Sequence, residues 1–217
     1  MHPAVIHFPI IDLWPLFVLL IIVAAAAGFL QSSKMRGVAG ERAVKRMLHR
    51  KLDASLYHCL HNVLIPNGRN GLTQIDHVVV SQWGIFVIET KNYSGWIFGT
   101  EHDKQWTVSY HGRRKEKLPN PLRQNFGHIR AVESLLKLAP GHCHGIVFFT
   151  GRAEFKKGPI PGVLTSGLAI HIMSFSTPAF DATTAADLAA NLRAACQTRH
   201  PNARAAHLTQ VRSRRSA

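Results

Sequence analysis

Thr73-Gln74-Ile75-Asp76-His77-Val78-Val79-Val80-Ser81-Gln82-Trp83-Gly84-Ile85-Phe86-Val87-Ile88-Glu89-Thr90-Lys91 is the stretch on which the fold turns. Residues 73–80 and 85–91 are apolar on both faces around a few polar positions, the composition of strands covered on both sides. Ser81-Gln82-Trp83-Gly84 between them is short enough for a tight connection, so the two runs pair as an antiparallel hairpin. A loop centred between Gln82 and Trp83 sets Asp76 opposite Glu89, and Gln74 opposite Lys91. Because side chains alternate with a period of two, this register gathers Asp76, Glu89 and Lys91 on one face.

Directly opposed residues have Cβ atoms about 4.5–5.5 Å apart. Two carboxylates at that distance repel, and one has its pKa raised unless a cation lies between them. A hard divalent ion such as Mg²⁺ takes one or two carboxylates and completes its shell with water and phosphate oxygens. A nearby amine can hold or deprotonate a water, or stabilise charge on a phosphate. On the residues alone a second reading stands beside this one: a surface ion pair of Lys91 with Glu89 or Asp76 at a strand end.

Outward from the hairpin, residues 38–52 form a helix, with Val44, Leu48 and Leu52 at helical spacing and Glu41 on the same stripe. Glu41 there is either an acid favoured by the helix dipole or a group with work to do. Residues 57–65 form a strand, closed by Pro66-Asn67-Gly68. Residues 96–99 and 105–110 suggest a further hairpin, with Trp96, Trp106 and Tyr110 as its core. Arg113-Arg114-Lys115-Glu116-Lys117 forms a basic loop. Residues 119–138 form a helix whose buried stripe is Leu122, Phe126, Ile129 and Leu136. Residues 145–150 and 168–173 are strands, 184–196 is an Ala-rich helix, and the last dozen residues are a basic tail. This order specifies an α/β fold with a mixed central sheet flanked by helices.

The chain has 217 residues and a formal net charge of +14. That length holds one core with extensions, and the hydrophobic content of 46% excludes bulk disorder. The charge points to a polyanionic partner, nucleic acid or an anionic lipid surface. Cys59, Cys143 and Cys196 are too few and too scattered for a disulfide framework or a zinc cluster, and His142-Cys143-His144 and His58-Cys59-Leu60-His61 lack the further ligands a closed zinc set needs. There is no phosphate-binding glycine loop.

Residues 13–33 contain no Asp, Glu, Lys or Arg. At about 1.5 Å per residue they span about 31 Å, close to the ~30 Å hydrocarbon core. Trp14 suits one interface, and Lys34, Arg36, Arg42, Lys45 and Arg46 follow the run. The positive-inside rule then sets the amino terminus outside the cell membrane and the rest in the cytoplasm, with Lys34 and Arg36 at lipid headgroups. A cleaved signal peptide fits less well, because the first residues lack Lys and Arg and the run is long. The expected organisation is an anchor at 1–33, a folded domain at 34–180 with its core at 37–150, and a C-terminal helix and basic tail at 181–217.

Gly40-Glu41, Gln74-Ile75-Asp76-His77-Val78-Val79-Val80, Glu89-Thr90-Lys91-Asn92-Tyr93-Ser94-Gly95 and Asn120-Pro121-Leu122-Arg123-Gln124 occur in an order and spacing that resembles the nuclease-related domain family. That family lies within the PD-(D/E)XK superfamily of restriction-endonuclease-like enzymes. The resemblance implies a restriction-endonuclease-like fold and Mg²⁺-dependent phosphodiester hydrolysis, with one or two ions and Mn²⁺ as a substitute. DNA is the expected substrate, and the alternative is an inactive membrane-bound nucleic-acid-binding or scaffold module. By the resemblance Asp76 and Glu89 are metal-binding acids, Lys91 assists the water, Glu41 completes the metal site, and Gln124 is a polar residue facing it. Ile75 stands where the superfamily signature has proline. Arg113, Arg114, Lys115 and Arg123 are candidate phosphate contacts.

Overall fold

The computed structural model describes residues 15–21, 23, 33–68, 71–110 and 114–197. The chain divides into two compact units, Met1–Val38 and Ala39–Ala217. In the first, residues 15–21 and 23 are helical, and Leu16, Phe17, Leu19, Leu20 and Ile21 are more than half exposed. Among the described residues no helix is long and apolar enough to cross a membrane. The expected transmembrane helix is therefore not seen, and much of residues 13–33 lies outside the described residues, as does the basic tail.

The second unit is built on a five-stranded mixed sheet. Strands β1 (Tyr57–Pro66), β2 (Leu72–Ser81) and β3 (Gly84–Lys91) form an antiparallel meander. Strand β7 (Cys143–Phe149) lies parallel to β3, and the two-residue β9 (Val163–Leu164) lies parallel to β7. The spatial order is β1-β2-β3-β7-β9, with β3 at the centre. Every residue of β3 except Lys91 is buried, as its unbroken apolar run requires. The hairpin register is the one read from the turn: Ser81 faces Gly84, Val79 faces Phe86, and His77 faces Ile88.

Helices cover both faces of this sheet. On one, Ala131 and Val132 of α2 (Pro121–Leu136) and Ala185, Leu188, Ala189 and Leu192 of α4 (Ala182–Gln197) pack on Val78, Val80, Ile85 and Val87. On the other, Val44, Leu48 and Leu52 of α1 (Ser33–Lys51) and its following turn, with Leu168, Ala169 and Ile172 of α3 (Leu168–Met173), pack on Val79, Phe86, Ile88 and Ile146. A second sheet, in the order β6-β5-β4-β8, holds β4 (Gly95–Phe98), β5 (Gln105–Tyr110), β6 (Arg114–Pro119) and β8 (Ala153–Phe155). It closes over the fully buried Trp106 and Phe149.

Three readings need correction. Residues 168–173 form a helix rather than a strand: Leu168, Ala169 and Ile172 are buried while Ile170 is 72% exposed, a helical and not an alternating pattern. Arg114 to Lys117, read as a loop, belong to β6, an edge strand whose long charged side chains stay in solvent while Leu118 turns inward. In α2, Phe126 is 64% exposed, and the buried stripe runs instead through Asn125, His128, Val132 and their neighbours.

Candidate active site

The β2–β3 ladder ends at His77 and Ile88. One step further Asp76 stands opposite Glu89, and here a side chain replaces the backbone: Asp76 Oδ2 accepts the Thr90 N–H at 2.8 Å. Beyond this point β2 keeps only its pairing with β1, where Gln74 pairs with Leu64, and Lys91 pairs with Phe149 of β7. The expected Gln74–Lys91 pairing is thus replaced by a fork between diverging strands. The fork has a backbone cause. Asn62, at φ 53°, faces Asp76 across β1 and β2. Leu60, Val63, Ile65, Ile75, Val78 and Val80 all lie in one core cluster, so the inward-facing parity of both strands changes across Asn62 and Asp76.

Two polar side chains, Lys91 and His128, hold Glu89, which is 2% exposed. Lys91 Nζ donates to Glu89 Oε1 at 2.6 Å and to Gln124 Oε1 at 3.1 Å. His128 Nε2 lies 3.2 Å from Glu89 Oε2, and its Nδ1 lies 2.9 Å from Thr73 Oγ1. An ionised carboxylate only accepts, so Nε2 carries a proton toward it, and Nδ1 pairs with the threonine hydroxyl. Helix α2 is positioned for this by two asparagines. Asn120 caps its first turn by accepting the Leu122 N–H and donates to the carbonyls of Glu101 and Asp103. The buried Asn125 donates to Val87 O and Ile146 O, clamping the helix across β3 and β7.

Helix α1 brings Glu41 to the same place. It approaches closely because Gly40 has no side chain: a Cβ there would meet Thr150 Oγ1 at 2.8 Å and Asn92 Cβ at 2.9 Å. Glu41 is half-buried and makes no hydrogen bond among the described residues, and it senses Glu89 and Lys91 electrostatically.

The charges at the fork do not balance. Burial, then repulsion from Glu89, pushes the Asp76 carboxyl up to about 8. Burial and the Glu89 charge raise Glu41 as well. Burial also opposes ionisation of Glu89, but the hydrogen bonds and charge supplied by His128 and Lys91 outweigh it and hold its carboxyl below the ordinary range. Lys91 and His128 answer Glu89, and Lys91 only partly offsets the burial and like-charge repulsion felt by Asp76 and Glu41. Among the described residues no three His, Cys, Asp or Glu form a ready metal cage. The oxygen-only set suits a hard divalent cation that takes one or two carboxylates and draws its other ligands from water and phosphate. Asp76 Oδ1 and the Glu41 carboxylate are the oxygens left free for it.

Glu41, Asp76, Glu89, Lys91 and Gln124 thus meet at one fork. The basic candidates do not. Arg114 and Lys115 lie on the second sheet, Arg123 donates to His102 O at 2.9 Å, and Arg113 falls outside the described residues. Sequence reasoning missed His128, Thr73 and Asn125. His128 follows Gln124 by one helical turn, the spacing that marks a shared flank.

A family model described as a nuclease-related domain matches residues 36–150. An uncharacterized protein of Bacillus anthracis is 48% identical over 104 residues, which cover 48% of this chain and 48% of that protein. The match thus spans about half the length of that relative. No solved structure matches the chain.

Proposed function

The chain belongs to the nuclease-related domain family, within the PD-(D/E)XK-like nuclease superfamily, and on that premise we propose that it is a membrane-anchored, Mg²⁺-dependent nuclease hydrolysing phosphodiester bonds in DNA. The observation that carries this is the fork between β2 and β3. There Asp76 and Glu41 keep free carboxylate oxygens beside a buried Glu89–Lys91 pair. Asp76 and Glu41 would hold the ion directly, and Glu89 would join them as Lys91 turns to substrate. When bound, it would supply Lewis-acid polarisation of the phosphate and a lowered pKa for its water.

The chain's own residues do the rest. Lys91, fixed between Glu89 Oε1 and Gln124 Oε1, is aimed by two acceptors, and its remaining N–H is free to hold the attacking water or a phosphate oxygen. His128 and Thr73 fix the second Glu89 oxygen, so the carboxylate cannot rotate away when Lys91 shifts toward substrate. The Thr90 N–H fixes Asp76 in the same way.

The apolar run at 13–33 supports the anchor, since the described side chains at 16, 17 and 19–21 are left uncovered by protein. Nicking of a circular plasmid tests the activity. The full chain in detergent should cut with Mg²⁺ and stop in EDTA, and Asp76→Ala should lower the rate by at least about 10²-fold. Salt-sensitive DNA binding without cutting, unchanged in Asp76→Ala, would make the protein a binding module instead.

A further inference from the structure

Glu41 is the only acid on α1. Arg42, Lys45, Arg46, His49 and Arg50 are all exposed. At 3.6 residues per turn they occupy one continuous arc of about 140°, with Lys45 at its near edge one turn from Glu41. The buried Val44 and Leu48 lie on the other side of Glu41. Around the helix the order is therefore core, site acid, basic arc.

A string of histidines fixes where the arc stands. His49 Nε2 lies 3.0 Å from His61 Nε2, and His61 Nδ1 lies 2.8 Å from His77 Nδ1, on the residue next to Asp76. The arc thus stands over the edge strand β1 at the end of β2 that carries the fork. Its charge is uncommitted: among the described residues none of the ion pairs uses Arg42, Lys45, Arg46, His49 or Arg50, whereas Arg130 is paired with Glu133 and Lys156 with Glu154. Arg46 donates only to Arg42 O, on its own helix.

We infer that the phosphodiester backbone of the nucleic acid entering or leaving the fork runs along this arc, with Arg42, Arg46 and Arg50 as its phosphate contacts. The inference rests on the nuclease reading for its direction toward the site. The three arginines are about 6 Å apart along the axis, close to two steps of a B-form strand at about 3.4 Å each. An anionic lipid surface carries the same phosphate chemistry, and α1 follows the apolar run. The continuity of the arc with Glu41 favours nucleic acid, because a strand laid along the arc leads directly to the acids of the fork.

The test is fluorescence anisotropy of a labelled DNA duplex with the full chain in neutral-lipid nanodiscs, over a range of salt and in EDTA so that no cutting occurs. The variant Arg42→Gln/Arg46→Gln/Arg50→Gln keeps good helix formers. It should bind about 30-fold more weakly, with a log–log salt slope shallower by about 2–3. Arg46→Ala alone should reduce the slope by about 1, and Arg114→Gln/Lys115→Gln/Lys117→Gln should change affinity by less than about threefold. Unchanged affinity and slope in the α1 variant would overturn the inference. So would loss of binding to phosphatidylserine vesicles with DNA affinity intact, which would give the arc to lipid. A wild type that binds through α1 yet never cuts would refute the nuclease reading and leave this surface standing.

Discussion

Asp76 is the residue whose chemistry the surroundings alter most. Its carboxyl, pushed up to about 8 by burial and by Glu89, holds a proton at neutral pH unless a cation displaces it. Metal binding must then release that proton, so affinity is linked to pH. The sign is definite: below about pH 8 the proton competes, and apparent Mg²⁺ affinity should rise by up to about tenfold per pH unit from pH 6 to 8, then level off. The half-saturating Mg²⁺ concentration for cleavage, measured across that range, checks this. A flat dependence would mean that Asp76 is already ionised without metal. Lys91 differs in kind, because it already answers a charge. With the Glu89 side chain 3% exposed and that of Lys91 15% exposed, the ion pair lies largely out of water, where removing one partner costs far more than the pair contributes. Lys91→Ala should therefore lose both stability and turnover, while Lys91→Met, which restores packing but leaves Glu89 unpaired, should recover part of the stability in a thermal melt and none of the turnover in the cleavage assay.

Among the elements, the site is made by four, α1, β2, β3 and α2, held to one point. Asn125 is the clamp, with its side-chain amide bonded to carbonyls of both β3 and β7. Asn125→Ala should cost about 1–3 kcal/mol, seen as a lowered urea midpoint with little change in slope. It should also weaken turnover, because Gln124 and His128 ride on the same helix. The hairpin was legible in the sequence because the short turn permits few registers and both strands are covered, so a slip would bury the wrong side chains. Glu41 was legible as an acid out of place on an apolar stripe. The α2 stripe was not: apolar spacing selects Phe126, yet Asn125 and His128 are buried because two strand carbonyls and Glu89 need donors there. Residues 168–173 misled for a related reason. An apolar run that short fits either period, and the exposed Ile170 looks like core until its neighbours are placed. The fork itself was hidden because it depends on the positive φ of Asn62, a tertiary choice without a glycine to announce it.

Across the whole molecule, two features beyond the fork bear on function: a net charge of +14 and the apolar run before α1. The charge bears on attraction to a polyanion and not on catalysis, and the run bears on the proposed anchor and not on chemistry. If the run spans a bilayer, carbonate washing should leave nearly all of the full chain in the membrane pellet, and a chain with Leu19→Lys and Leu20→Lys should move to the supernatant. Extraction of the unaltered chain would remove the anchor without touching the nuclease. The central claim is hydrolysis: water, oriented at the β2–β3 fork, displaces one side of a phosphodiester. Cleavage of a DNA duplex in ¹⁸O-enriched water, with product mass measured after a single turnover, tests it most directly. Each new terminal phosphate should carry one solvent oxygen with Mg²⁺ present, and no labelled phosphate should form with Asp76→Ala. A wild-type protein that yields no labelled phosphate, or an Asp76→Ala protein that labels as well as wild type, would contradict it.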